Sequence, residues 1–277
     1  MLNMLLVEEI VRRALVEDLE AGDVSSSIFQ PAEMGRGEVL AKEEGVIAGL
    51  PVAGLVFNLL SPDCRWQTEV EDGQKVSAGQ RVATVSGPLV AILAGERVAL
   101  NFLQRLSGIA TLTARYCEAV KPYPARITDT RKTVPGLRML DKYAVRVGGG
   151  QNHRLSLSDA VLIKDNHIRA AGGIAAAVEK VRRSAPFTAR IEVEVESLEQ
   201  VKEALDCGAD IVMLDNMDVE VMRKAVQMVA GRAIVEASGG ITLENVHEIA
   251  ATGVDFISVG ALTHSVRALD LSLEILV

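Results

Sequence analysis

Hydrophobic and polar positions follow two different rhythms along the chain. From about residue 34 to 95, short apolar runs are separated by Gly-containing turns, as in GRGEVLAKEEGVIAGL and VEDGQKVSAGQRVATVSGP, and this predicts strands. Ahead of that stretch, MLNMLLVEEIVRRALVEDL spaces its apolar residues for an amphipathic helix. It has no basic leader and acids follow closely, so it does not read as a signal peptide. Behind it, ERVALNFLQRLSGIATLTARYCEAV puts Leu100, Leu103, Leu106 and Ile109 on one face. That predicts a long helix bridging two domains, with Gly108 as the site of a bend.

From about residue 126 the rhythm changes. Short β-rich runs recur: RITDT, DAVLIKDN, RIEVEVES, DIVMLDN, AIVEASGG and DFISVGAL, most of them separated by helical patterns. Ser197 with Gln200 three residues later is a capping-box signature, and Asp218 and Thr242 are predicted N-caps. Alternating strands and helices imply parallel β/α units with right-handed crossovers. A barrel is favoured over a doubly wound sheet, because no GxGxxG opens a unit and Asp215, Ser238 and Gly260 fall at the C-terminal ends of different strands.

Composition narrows the class. A chain of 277 residues with 49% hydrophobic and 24% charged positions is a folded protein of one large or two smaller domains. The net charge is −8, with five Phe, three Tyr and one Trp, which argues against a nucleic-acid binder. No run approaches the ~18 apolar residues of a membrane span. Cys64, Cys117 and Cys207 are far apart and read as free thiols of a reducing cytoplasm.

The charge is unevenly spread. Residues 126–169 hold nine basic and four acidic residues, interleaved with Gly148, Gly149, Gly150 and His153, which suggests an anion site. Arg131 offers a planar fork for a carboxylate, and Lys132 a point charge for a phosphate. Lys164 ends a strand, as a solvated residue or, on a barrel top, a Schiff-base lysine. His153 and His167 lack metal-ligand company, so no zinc site is expected. Alternation in IEVEVES puts Glu192, Glu194 and Glu196 on one face, either outward and solvated or as an inward tier meeting Lys or Mg²⁺. Ser238, Gly239 and Gly240, with Gly260 one strand later, form turns suited to phosphate. His247 and His264 read as surface or packing residues.

Taken together, EDLEAGDVSS, NFLQRLSGIAT, TDTRKTVPGLR, DKYAVRVGGGQNHR, VLIKDNHI, EVEVES, LDN, EASGGI and ISVGALTHS resemble, in this order, the quinolinate phosphoribosyltransferase family. The resemblance implies an N-terminal α/β sandwich over 1–108, with the tail 271–277 as a candidate addition, and an incomplete, seven-stranded α/β barrel over 109–270. It implies transfer from phosphoribosyl pyrophosphate (PRPP) to quinolinate with Mg²⁺ and decarboxylation, in the cytoplasm, with no nucleic-acid or membrane partner. By the same resemblance, Thr130, Arg131, Lys132, His153, Arg154 and Lys164 hold quinolinate. Arg105 reaches the site across the interface of a homodimer or a trimer of dimers. Lys132, Lys164, Glu194 and Asp215 are the catalytic set, and Glu194 and Asp215 face Mg²⁺ through water. Ser238, Gly239, Gly240, Val259, Gly260 and Ala261 bind the 5′-phosphate. Where the family often has a glycine after the HR pair, this chain has Ser156. Competing readings are a paralogue from molybdate-transport loci with another acceptor, a Schiff-base aldolase, a phosphosugar-binding regulator and a biotinyl-like carrier at Lys75. The TRK and NHR groups argue for the dicarboxylate.

Overall fold

The computed structural model describes residues 2–276. The amphipathic start forms α1 (Met4–Asp18), capped by the Asn3 side chain, with Val7, Val11 and Leu15 buried at helical spacing. The Gly-punctuated stretch becomes β1 (Met34–Ala41), β2 (Gly45–Val46), α2 (Leu50–Leu60), β3 (Arg65–Thr68), β4 (Lys75–Val76) and β5 (Arg81–Pro88). LPVAGLVFNLL is helical where the sequence rhythm suggested only strands. Pro51 stands in its first turn, and the Asp72 carboxylate accepts the N–H groups of Gly49 and Leu50.

The long helix is α3 (Leu89–Val120). Leu100, Leu103, Leu106 and Ile109 are buried to 3% exposure or less. Truncating one of them to Ala would cost about 2–5 kcal/mol. The helix is continuous through Gly108, and packing supplies a reason for the glycine. A Cβ there would run into the backbone of Arg267 and Ala268.

Downstream lie β6 (Arg126–Thr128), α4 (Arg138–Val147), β7 (Val161–Ile163), α5 (Asp165–Ala171), α6 (Ile174–Ser184), β8 (Ile191–Val195), α7 (Leu198–Asp206), β9 (Ile211–Asp215), α8 (Val219–Val229), β10 (Ile234–Ser238), α9 (Val246–Ala250), β11 (Phe256–Ser258), α10 (Ala261–His264) and β12 (Leu271–Leu276). Ser197 caps α7 by accepting the Gln200 N–H at 3.3 Å. Asp218 stands at the N-cap of α8 without a side-chain cap bond. Thr242 is not a cap: Asn245 occupies that place on α9, and its Oδ1 accepts the Thr242 N–H.

The chain divides into two compact units: 1–114 with 133–149 and 265–277, and 115–132 with 150–264. In the first, an antiparallel sheet runs β12–β1–β5–β3, with Val39 opposite both Ala83 and Leu273. In the second, six parallel strands run β6–β11–β10–β9–β8–β7, and a lone parallel bridge from Thr128 to Gln151 extends the ladder beside β6. The seventh strand position is thus a single bridged residue, consistent with an incomplete α/β barrel. Among the described residues, no helix is long and apolar enough to cross a membrane.

Candidate active site

Polar residues at or beside the C-terminal ends of the parallel strands meet in one cavity of about 710 Å³. Its wall includes Thr130, Arg131, Lys132, His153, Arg154, Lys164, Glu194, Asp215, Ser238, Gly239, Gly240, Gly260 and Ala261. Val259 is the exception among the expected phosphate contacts. Its side chain is buried, and its N–H donates to Thr128 O at 2.9 Å, so it belongs to the barrel ladder. Arg105 is also not on the wall. It lies in the first unit, where Nε and Nη2 donate to the buried Asp141 carboxylate at 3.0 and 2.9 Å.

The basic island divides the same way. Arg131, Lys132, His153, Arg154 and Lys164 face the cavity. Arg138 bonds to Thr133, and Arg169 pairs with Asp165. The loop carrying His153 and Arg154 is tied to the end of β6 by Asp129, a fully buried carboxylate. Its Oδ1 accepts the His153 N–H at 2.9 Å and its Oδ2 accepts Asn152 Nδ2 at 2.6 Å. Arg154 Nη1 donates to Ala160 O at 3.0 Å. Burial and the nearby Arg131 pull the Arg154 guanidinium below its usual pKa, against the opposing pull of Glu192 and Asp159. Arg131 Nε is buried and has no hydrogen-bond partner, a state that costs free energy until an acceptor arrives. Ser156 stands where the resemblance leads to the expectation of a glycine. It has no left-handed backbone, and its hydroxyl bonds to Ser158 and Asp159.

The acidic face of β8 is graded. Glu192 is buried, Glu194 half-buried and Glu196 exposed. Glu194 Oε2 takes an ion pair from Lys164 Nζ at 2.7 Å. Glu192 Oε2 is 3.2 Å from His153 Nε2, and Glu236 Oε2 on β10 is 3.5 Å from the same nitrogen. His153, Glu192 and Glu236 each bring a donor atom within 4.8 Å of the others. Burial first, and Glu192 second, push the Glu236 carboxyl up to about 7, against the opposing pull of His153, Ser258 and Lys164. His167 instead accepts the Lys164 N–H at the start of α5.

The phosphate-type turn needs two glycine properties at once. Gly239 has φ +89°, and a Cβ on it would collide with the Asn216 side-chain amide. Asn216 is itself left-handed at φ 52° and donates from Nδ2 to Asp215 Oδ2 at 2.9 Å. Asn216, Glu236, Ser258 and His264 are wall residues that sequence reasoning did not place there. His264 has a packing role, as expected, and it packs where a Cβ on Gly260 would lie. The alternation in IVEAS was a usable signal for Glu236, since it shares a strand face with Ser238. Asn216 and His264 carried no comparable pattern.

Comparison with known proteins agrees over the whole chain. The family profile of the quinolinate phosphoribosyl transferase C-terminal domain matches residues 109–274, and that of the N-terminal domain matches residues 23–107. A probable nicotinate-nucleotide pyrophosphorylase [carboxylating] of Synechocystis is 48% identical over 274 residues, covering 98% of this chain and 93% of the relative. The Bacillus subtilis protein of the same name is 43% identical, covering 99% and 95%. The crystal structure of NadC from Streptococcus pyogenes superposes with a TM-score of 0.95 at 43% identity, covering 100% of this chain and 99% of that one.

Proposed function

Because the chain belongs to the quinolinate phosphoribosyltransferase family, we propose that this cavity is where quinolinate and PRPP react. The products are nicotinate mononucleotide, pyrophosphate and CO2, a step of NAD biosynthesis. The observation that carries the reading is Arg131, whose buried, unpartnered Nε stands in the wall with Arg154 and calls for an anion. Two guanidinium groups suit the two carboxylates of quinolinate.

The residues divide the work by chemistry. Arg131 and Arg154, with Thr130 beside them, hold the dianion so that the ring nitrogen faces the anomeric carbon of the ribose. Lys132 and Lys164 offset the charge that builds on the departing pyrophosphate, and the carboxylates offset the positive ribose. The Ser238–Gly240 turn, with Gly260 and Ala261, receives the 5′-phosphate through backbone N–H groups. Glu194 and Asp215 present only carboxylate oxygens to the cavity, a donor set that fits Mg²⁺ held through water. When bound, Mg²⁺ supplies Lewis-acid charge neutralisation to the diphosphate.

A neighbouring subunit completes the site with Arg105, in a homodimer or a trimer of dimers. In support, the wall is drawn from residues 130–264 alone, and Arg105 is oriented by a salt bridge to the buried Asp141. The free thiols Cys64, Cys117 and Cys207 support a cytoplasmic location.

The test is a direct assay with quinolinate, PRPP and Mg²⁺, following pyrophosphate, CO2 and nicotinate mononucleotide. Nicotinic acid serves as the control acceptor. Product from quinolinate alone is the expected result. Turnover with nicotinic acid instead, or none with quinolinate by folded protein, would sink the reading. Mixing Arg105→Ala protein with Arg154→Ala protein then tests the shared site. Restored activity in mixed oligomers is expected, and none is expected if each site uses its own Arg105.

A further inference from the structure

The reaction has a proton to account for. When the bond from ring carbon C2 to its carboxylate breaks, CO2 leaves and the electron pair stays on C2. That carbon then takes up a proton to become the C–H of nicotinate mononucleotide. The roles assigned above supply no donor.

The cavity wall holds a group those roles leave idle. Glu236 lines the cavity, yet it is only 4% exposed. Its Oε1 accepts the Ser258 hydroxyl at 2.6 Å, and its Oε2 lies 3.5 Å from His153 Nε2. His153 Nδ1 accepts the Arg154 backbone N–H at 2.8 Å, so the ring proton is on Nε2. That one N–H meets two buried carboxylates, Glu192 at 3.2 Å and Glu236. Two bare carboxylates this buried and this close together repel each other, and one of them keeps its proton. Burial and Glu192 favour the protonated form of Glu236, while His153, Ser258 and Lys164 oppose it. Its ladder neighbours on either side, Met213 and Phe256, carry no charge.

We propose that Glu236 is the proton donor to C2, with His153 and Ser258 as its positioning residues. The proposal rests on the functional reading above. As the C2–carboxylate bond breaks, the Glu236 O–H bond breaks, the proton joins the electron pair on C2, and Glu236 is left as a carboxylate. Water entering the cavity after product release returns the proton. Prompt protonation matters because a bare C2 carbanion recombines with CO2 in a closed site.

The experiment separates the two halves of the reaction in a single turnover of the Mg²⁺-loaded oligomer with quinolinate and PRPP. Glu236→Gln keeps the shape and removes the acid. Pyrophosphate release is expected within about 3-fold of the parent, while CO2 and nicotinate mononucleotide formation slow by about 100-fold or more. Glu236→Asp should recover part of the loss. Equal slowing of both halves, or CO2 release at the parental rate, overturns the donor role. If the parent itself releases no pyrophosphate, the functional reading falls first and the donor role falls with it. Ser258→Ala is the second handle, should the Gln variant fold poorly. In the parent, decarboxylation is expected to fall as pH rises through about 7. The Ser258 hydroxyl favours the ionised Glu236, so its loss moves that limb to higher pH. A limb that stays in place, or moves to lower pH, counts against the proposal.

Discussion

Lys164 Nζ and Glu194 Oε2, at the ends of the adjacent strands β7 and β8, form a 2.7 Å ion pair at the cavity wall. The pair is asymmetric, with the Lys164 side chain 47% exposed and that of Glu194 13% exposed. An exposed lysine adds little to stability, about 0–1 kcal/mol, so its value lies in the charge it aims at a ligand. Lys164→Ala is expected to lower kcat/KM by about 100- to 1000-fold. The melting temperature should stay within about 3 °C of the parent. Steady-state kinetics beside a thermal melt check both halves, and a large melt shift with intact kinetics would contradict them.

Arg131 differs, because its Nε already lacks a partner. Removing the side chain removes that cost as well as the ligand contact. Arg131→Ala is therefore expected to leave stability unchanged or slightly higher. Loss of a buried Arg–carboxylate contact costs on the order of 2–5 kcal/mol. At ~1.4 kcal/mol per decade, kcat/KM for quinolinate should fall by about 1.5 to 3.5 decades. Arg131→Lys should recover little, since a lysine cannot form the planar fork. Unchanged quinolinate kinetics in the Ala variant would refute the contact.

Gly239 carries two constraints, a left-handed backbone and the Asn216 amide pressed against it. Gly239→Ala is expected to destabilise by about 1–3 kcal/mol. It should also raise KM for PRPP more than KM for quinolinate, because the displaced turn is the one assigned to phosphate. Asn216→Ala relieves the collision but frees Asp215. The double variant should regain little stability, because both positions keep a left-handed backbone, and no PRPP affinity, as a denaturant titration and paired KM values would reveal.

Glu236 also predicts a pH effect on stability. Its folded pKa, about 7, is raised above the ordinary value of 4.5, so the folded state binds more protons than the unfolded state between those values. The contribution is fully present below about pH 4.5 and is lost as pH rises to about 7. Relative to the parent, Glu236→Gln should therefore gain stability as pH rises across that window. Parallel melting curves of the two proteins from acid to neutral pH would show no such raised pKa.

The sequence by itself determined the β/α rhythm of residues 126–264, the long helix and most of the cavity wall. These features are periodic or local. A parallel strand buried between helices reads as a short apolar run, and a strand end reads as the polar residue that follows it. Tertiary structure decided what periodicity does not encode. LPVAGLVFNLL became a helix because Asp72, distant in sequence, caps its first turn. Gly108 is glycine because the backbone at 267–268 lies against it. Val259 left the phosphate set because its amide completes the ladder to β6, while His264 and Asn216 entered the wall through packing on Gly260 and Gly239. Glu236 shows the boundary most clearly. Alternation puts it on the cavity face, but the affinity for its proton comes from burial beside Glu192, a residue on another strand. Desolvation and charge proximity are sums over neighbours in space, and one strand's sequence contains only its own share of them.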